Sequence, residues 1–315
     1  MATEPQLVEA LEAREKRRVR RRDLFTASVA AGGFVLATKS GPVKAQSVTD
    51  ADILNFALNL EYLEAQFYVQ AVNGAGLPET LLGGTGTRGQ ATGGRRVNFT
   101  DPAVARYARE IAADEQAHVA FLRTALGGAA VAQPAIDIGT APGGAFSSAA
   151  RAAGLVGPGE SFDPYASDEN FLLAAFIFED VGVTAYKGAS PLISNPTFLE
   201  AAAGILAVEA YHAAIVRTTL YAKGLQTPAL IQATEAISGA RDSLDGPTDL
   251  DQGVAAMRQG EQLVSNIVPL DQNGLAYSRT AGQVLNIVYL NRMAVTGGGF
   301  FPNGVNGALR MSAAN

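Results

Sequence analysis

The chain has only two histidines, and both stand in the same frame. "DEQAHVAFLRTAL" covers residues 114–126 and "VEAYHAAIVRTTL" covers 208–220, so Glu-x-x-His-x-x-x-x-Arg-Thr-x-Leu occurs twice. With 16 Glu in 315 residues, a Glu three positions before both His arises by chance in roughly one sequence in 400 of this composition. The frame therefore marks a duplicated unit, and the duplication extends beyond it. Thr49 to Glu61 spans 12 residues, as does Ser167 to Glu179; Pro102 to Glu115 spans 13, as does Pro196 to Glu209. Tyr68 and Tyr186 follow Glu61 and Glu179 at the same offset of seven.

Each of these four segments reads as a helix. Residues 47–72 open at Thr49 or Asp50 as N-cap and end near Asn73-Gly74. A second helix starts with Pro102 at its first position and stops at Gly127, a third runs over 167–189 from a Ser cap, and a fourth over 195–224 from Asn195-Pro196. The pattern is helix, helix, long crossover over 128–166, helix, helix. At 1.5 Å rise per residue each acidic residue sits about 20 Å from its helix start, near the middle of the rod.

Glu179 lies in "LLAAFIFEDVGV", apolar nearly all round and hence expected in a core. A buried carboxylate needs a donor or a cation. Four Glu and two His at one height of a bundle leave a net −4, which two divalent cations neutralise. One Glu from each of two helices plus Glu-x-x-His from each of the other two is the ligand set of the ferritin-like di-iron and di-manganese carboxylate bundles. The fold class read here is all-α: a ferritin-like four-helix bundle built from a duplicated helix pair with a long crossover, plus a C-terminal helical and loop extension. The expected ligands are Glu61, Glu115, His118, Glu179, Glu209 and His212. Positions i and i+3 share a helix face, so Glu115 and Glu209 can bridge while His118 and His212 bind terminally, with Glu61 and Glu179 as terminal carboxylates. Oxygen-rich ligation with one imidazole per metal suits iron or manganese, although zinc could occupy such a site.

Around that set, Glu64 shares the face of Glu61 but is matched by Gly182 in the second half, so it is read as supporting or surface rather than ligand. Tyr68 and Tyr186 either hydrogen-bond ligand carboxylates or are core aromatics with satisfied hydroxyls. Asp114 and Asp180 are expected to point off the ligand face, solvated or paired with Arg. Arg123 and Arg217 are read as helix-end cations favourable with the dipole. The Gly-rich stretch 83–94 is either a gate or, the preferred reading, a solvated linker.

The first 45 residues differ in character. "REKRRVRRRDLF" precedes a short apolar run and "PVKAQ", a positive, then apolar, then small-residue order with cleavage expected after Ala45. Arg21-Arg22 with Asp23-Leu24-Phe25 resembles a twin-arginine export signal. About 15 apolar residues broken by Lys39 are too few to span a bilayer comfortably, so no permanent membrane span is expected. Residues 1–45 hold nine of the 24 Lys/Arg and five of the 30 Asp/Glu, which leaves 15 basic against 25 acidic and a formal charge near −10. Such a surface repels phosphate backbones, and no nucleic-acid partner is expected. With no cysteine, any metal must be held by nitrogen and oxygen.

Residues 225–315 read as an extension packing on the bundle, with a fifth helix in "PALIQATEAISGARDSL" and a short sixth capped by Thr280. Its "GGGFFPNGVNG" is loop-like, with two Phe expected to pack on the bundle or on another subunit. Beyond residue 45 the methionines, Met257, Met293 and Met311, all lie in this tail, so no haem is expected. "LNLEYLEAQFY", "FDPYAS", "YSRTAGQVLNIVY" and "GGGFFPNGVNG" resemble the ferritin-like family that includes plant desiccation-related proteins and exported bacterial relatives. The similarity runs from about residue 50 to about 310 and implies a ferritin-like bundle over 46–224, a family-specific extension over 225–315 and stress-related expression. Plant members depart from the full ligand set in the second Glu-x-x-His; this chain keeps His212. The expectation is an exported, periplasmic or cell-envelope oxidoreductase with two divalent ions, acting on O2, peroxide or Fe(II) in the manner of a ferroxidase or manganese catalase. A non-enzymatic protective envelope protein and iron storage are the alternatives, and a homo-oligomer is compatible with each.

Overall fold

The computed structural model describes residues 48–315, and the signal segment expected over 1–45 lies outside the described residues. Seven α-helices are found among them: α1 (Asp50–Asn73), α2 (Pro102–Leu126), α3 (Ala145–Ala152), α4 (Asp168–Ala189), α5 (Pro196–Gly224), α6 (Pro228–Asp242) and α7 (Ala281–Val288). The bundle is α1, α2, α4 and α5, with α1 packed along α2 and α4 along α5.

The four bundle helices begin where polar side chains take up their first free N–H groups. Thr49 accepts from Asp52 N while the Asp52 carboxylate accepts from Thr49 N, a capping box. Asp101, Ser167 and Asn195 accept from Ala103, Asn170 and Thr197, and proline occupies the first position of α2 and α5. The two hairpins also tie each other down. Asp50 at the start of α1 accepts from the N–H groups of Ser194 and Asn195, both 2.8 Å, at the start of α5. Asp168 at the start of α4 accepts from those of Thr100 and Asp101, both 3.0 Å, at the start of α2.

α1 is buried without a break from Ile53 to Ala71, its polar residues Asn55, Asn59, Glu61, Glu64, Gln66 and Gln70 included. α5 is long and apolar enough to cross a membrane by length and composition. Its buried face nevertheless carries Glu209, His212 and Arg217, each of which has partners inside the bundle.

The crossover is more ordered than a loop. It contains α3 and a short strand, β2 (Ile136–Asp137), that runs parallel to β1 (Ala91–Thr92) in the Gly-rich stretch. Residues 83–94 are mostly exposed, as the solvated reading expects, but they are fastened to the crossover rather than free. Thr85, Gly89, Gln90 and Thr92 exchange backbone hydrogen bonds of 2.8–3.0 Å with residues 130–138. Glycine permits the approach: a Cβ at Gly89 would stand 2.2 Å from Ala135 N.

The extension is fastened by buried charge. Arg241 and Arg279 meet Asp251, Arg279 also meets Asp245, and Arg241 reaches Asp180 of α4 at 3.1 Å. Arg217 joins this set, which corrects the reading of it as a helix-end cation held by the dipole. It is 1% exposed and donates to Asp180 at 2.8 Å and to the carbonyls of Gln252, Gly253, Asn266 and Ile267 at 2.6–2.9 Å. Phe300 and Phe301 are fully buried, and Phe300 packs edge-on against Phe146 and Phe178. A hairpin of β3 (Met257–Gln259) and β4 (Gln262–Val264) was not legible in the sequence.

Candidate metal centre

The six expected residues come together. Glu61, Glu115, Glu179 and Glu209 are at most 1% exposed, His212 is 2% and His118 8% exposed. Their ligand atoms form two overlapping groups, each within 4.8 Å: Glu61, Glu115, His118 and Glu209 in one, Glu115, Glu179 and His212 in the other. His118 Nδ1 lies 3.1 Å from Glu61, 3.7 Å from Glu115 and 3.6 Å from Glu209. His212 Nδ1 lies 3.0 Å from Glu115 and 3.7 Å from Glu179. Glu115 belongs to both groups, as a bridging carboxylate should. Glu209 sits with the His118 group alone rather than across both, its Oε2 turned toward the space that Gly182 leaves open.

Tyr68 and Tyr186 both hydrogen-bond ligands, and they do so crosswise. Tyr68 of α1 donates to Glu179 Oε1 of α4, and Tyr186 of α4 donates to Glu61 Oε1 of α1. Burial pushes both phenols well above their usual range and neighbouring carboxylates push them further, so they stay donors. Glu64 is buried at 5% exposed but belongs to neither group.

Asp114 keeps 42% of its side chain exposed, in line with the expected solvation, but its partner is a histidine rather than an arginine. Its carboxylate meets His212 Nε2 at 3.1 Å from across the bundle, which leaves Nδ1 facing the carboxylates. The sequence hid this because the residue before Glu209 is Val208, so the repeat carries no matching carboxylate. The shared Arg of the duplicated frame also finds its reason here. Arg123 donates to the Tyr62 hydroxyl and to Gly83 O, while Arg217 donates to Asp180. Tyr62 and Asp180 are the residues after Glu61 and Glu179, so in each half the arginine five places beyond the histidine fixes the neighbour of its own hairpin's terminal carboxylate.

Charge in the cluster is poorly compensated by protein alone. Burial raises Glu61 to about 7, with repulsion from Glu115 adding to it, and raises Glu179 to about 8. Burial and neighbouring carboxylates push Glu64 and Glu209 well up. Burial opposes ionisation of Glu115 as well, but the imidazoles of His118 and His212, 3.7 and 3.0 Å away, hold it at about 2. Burial disfavours both imidazoliums, yet the carboxylates around them raise His118 to about 11 and His212 to about 9. Both oxygens of Glu115 and of Glu209, Glu179 Oε2 and His212 Nδ1 are buried without a hydrogen-bond partner. Orphans of this kind cost several kcal/mol each in an apolar interior. Divalent cations resolve the deficit, and oxygen and imidazole donors without thiolate suit hard or borderline metals.

Residues 49–222 match the ferritin-like domain family. Over 272 residues the chain is 29% identical to the ferritin-like catalase Nec2 of Nesocodon mauritianus, covering 82% of this chain and 84% of the relative. Over 271 residues it is 31% identical to the desiccation-related protein PCC13-62 of Craterostigma plantagineum, covering 82% and 83%.

Proposed function

The chain belongs to the ferritin-like domain family, and from that premise we propose that it is an exported two-metal oxidoreductase acting on hydrogen peroxide. The observation that carries the reading is the pair of overlapping ligand groups sharing Glu115, with buried oxygens that have no hydrogen-bond partner. Glu61, Glu115, Glu209 and His118 would hold one ion, Glu115, Glu179 and His212 the other. Two adjacent ions of iron or manganese supply a two-electron change, so peroxide can be handled without release of a radical.

The chain's own residues prepare that chemistry. Tyr68 and Tyr186 occupy one oxygen each of Glu179 and Glu61, leaving the second oxygen of each for a metal. Asp114 accepts from His212 Nε2 and so fixes the tautomer whose Nδ1 lone pair faces inward. Glu64 is a spare carboxyl that can hold a proton beside the centre. Burial of all six ligands excludes bulk water and strengthens each electrostatic contact.

The name of the Nesocodon relative supports peroxide as the substrate. Export goes with this reading: the twin-arginine route carries folded proteins, so metals could be inserted first. The name of the Craterostigma relative favours a second reading, a protective protein stabilised by bound metal during drying. Metal analysis of the purified protein followed by oxygen evolution from peroxide separates the two. Two equivalents of iron or manganese per chain with sustained oxygen release is the expected result. Bound metal without turnover would move the assignment to the protective role, and failure to take up Fe(II) or Mn(II) would overturn the metal centre itself.

A further inference from the structure

Arg96 and Arg109 line one cleft of about 500 Å³ between the end of α1, the first turns of α2 and the segment that joins them. No acidic residue lines it, and neither does any of the six candidate ligands. Both arginines are exposed, so the cleft opens to solvent, and among the described residues neither has a carboxylate or hydrogen-bonding partner. Residues 48–315 hold 25 Asp/Glu against 15 Lys/Arg, and Arg88, Arg95, Arg217, Arg241 and Arg279 each pair with one. Two arginines left over in one cleft stand out against that background.

The ordinary uses of a surface arginine are closed to both. Arg109 has Ala105, Arg106, Ala112 and Ala113 at the neighbouring positions of its helix face, so α2 offers it no carboxylate. Arg96 passes the last turn of α1, whose free carbonyls attract cations. Two of those carbonyls, Gln70 O and Ala71 O, are already taken by Gly74 N and Val97 N, both at 2.8 Å. The walls are also fixed beforehand. Val97 is 2% exposed, Phe99 packs edge-on against Phe171 at 5.1 Å, and Gly74, at φ 75°, lets Arg96 pass where a Cβ would stand 3.3 Å from its own.

The guanidinium fork matches the two oxygens of a carboxylate, and the Asn98 amide adds a donor at the rim. Val72, Val97 and Phe99 supply apolar wall. The volume falls in the range of about 300–1,000 Å³ typical of small-molecule sites, much more than a bare inorganic anion fills. We propose that this cleft binds a small organic carboxylate with an apolar body, its charge between Arg96 and Arg109 and its body against Val97 and Phe99. The site is separate from the metal centre and does not rest on the peroxide reading.

Titration of benzoate into the full chain, followed by NMR at labelled valine methyls, tests this. Saturable shifts at Val72 and Val97 are expected with benzoate, and much weaker binding with benzyl alcohol, which keeps the ring and loses the charge. Arg96→Gln and Arg109→Gln break no contact within the described residues, so the fold should hold, and each should weaken benzoate binding roughly tenfold to a hundredfold. Arg258→Gln, outside the cleft, removes the same charge and should leave the affinity unchanged. An equal loss in Arg258→Gln, equal affinity for benzyl alcohol, or benzoate binding untouched by both cleft variants would overturn the proposal. Inorganic phosphate that displaces benzoate at equal concentration would refute the apolar part of the assignment, and absence of any shift at either valine would overturn the site itself.

Discussion

Replacing Arg217 with Met tests whether the same residue of a repeated motif carries the same energy in both halves. The side chain is 1% exposed and makes five hydrogen bonds, one to Asp180 and four to carbonyls of residues 252, 253, 266 and 267. Methionine keeps much of the apolar volume and removes all five. Breaking a buried ion pair costs about 3–5 kcal/mol, and each buried carbonyl left without its donor adds about 1 kcal/mol before relaxation. Arg241 still holds Asp180 at 3.1 Å, which lessens the first term. The expected loss is therefore about 5 kcal/mol, a large part of the ~5–15 kcal/mol that holds a domain together. Arg123→Met removes only the bonds to Tyr62 and Gly83 from a half-buried side chain with no carboxylate partner, and should cost about 1–2 kcal/mol. Urea unfolding of the metal-free full chain, followed by circular dichroism, measures both. Arg217→Lys, which keeps the charge near Asp180 but not the fork, should fall between them. Losses that agree within about 1 kcal/mol would refute the reasoning, because they would show that burial and partner count do not set the cost.

Replacing both His118 and His212 with Ala should take metal from two equivalents per chain to none while helical content is retained; unchanged metal by elemental analysis would refute the ligand assignment. Tyr186→Phe should weaken Mn(II) binding by roughly tenfold to a hundredfold, because Glu61 loses the donor that fixes its free oxygen; titration calorimetry reads this, and an unchanged Kd would count against a supporting role. Glu61 and Glu179 are raised from 4.5 to about 7 and about 8, and His212 and His118 from 6.5 to about 9 and about 11. Folded metal-free protein thus holds protons more tightly than the unfolded chain above pH 4.5, and the stability this gives at low pH is lost progressively as pH rises through the folded values of about 7 to about 11. Its Tm should fall between pH 5 and 9, whereas a rise would contradict the shifts. Mn(II) uptake near neutral pH should release protons, and affinity should climb with pH over the same interval; calorimetry in buffers of different ionisation enthalpy would expose an absence of release.

The bundle was legible because its signals are local and repeated. Caps at Thr49, Ser167 and Asn195, proline at 102 and 196, and the fixed offsets to four mid-helix glutamates all survive in one dimension. The clustering of the six candidate ligands follows from helix registers, since equal offsets from equal starts bring side chains to one height. What escaped depends on contacts with no periodicity. Asp114 supports His212 from another helix, and Arg217 is buried because residues 250–267, which carry no helical pattern, fold over it. The Gly-rich stretch looked free because glycine scores as flexible, whereas here it permits backbone pairing with the crossover. That Glu115 belongs to both groups and Glu209 to one is a matter of side-chain direction, which spacing does not fix.

The crosswise contacts have a consequence for symmetry. Tyr68 serves Glu179 and Tyr186 serves Glu61; Asp50 serves the start of α5 and Asp168 the start of α2. Contacts of the form i to j and j to i are the mark of an isologous twofold interface between identical parts. Cut at the crossover, the chain would be a pseudo-dimer of hairpins, each taking the tyrosine on its terminal carboxylate from the other. Joining them replaces a concentration-dependent association by an intramolecular one. It also releases the two halves from identity: a strict twofold could not set Glu64 against Gly182 or Tyr62 against Asp180. Covalent linkage is what lets the two sides of the centre be built differently.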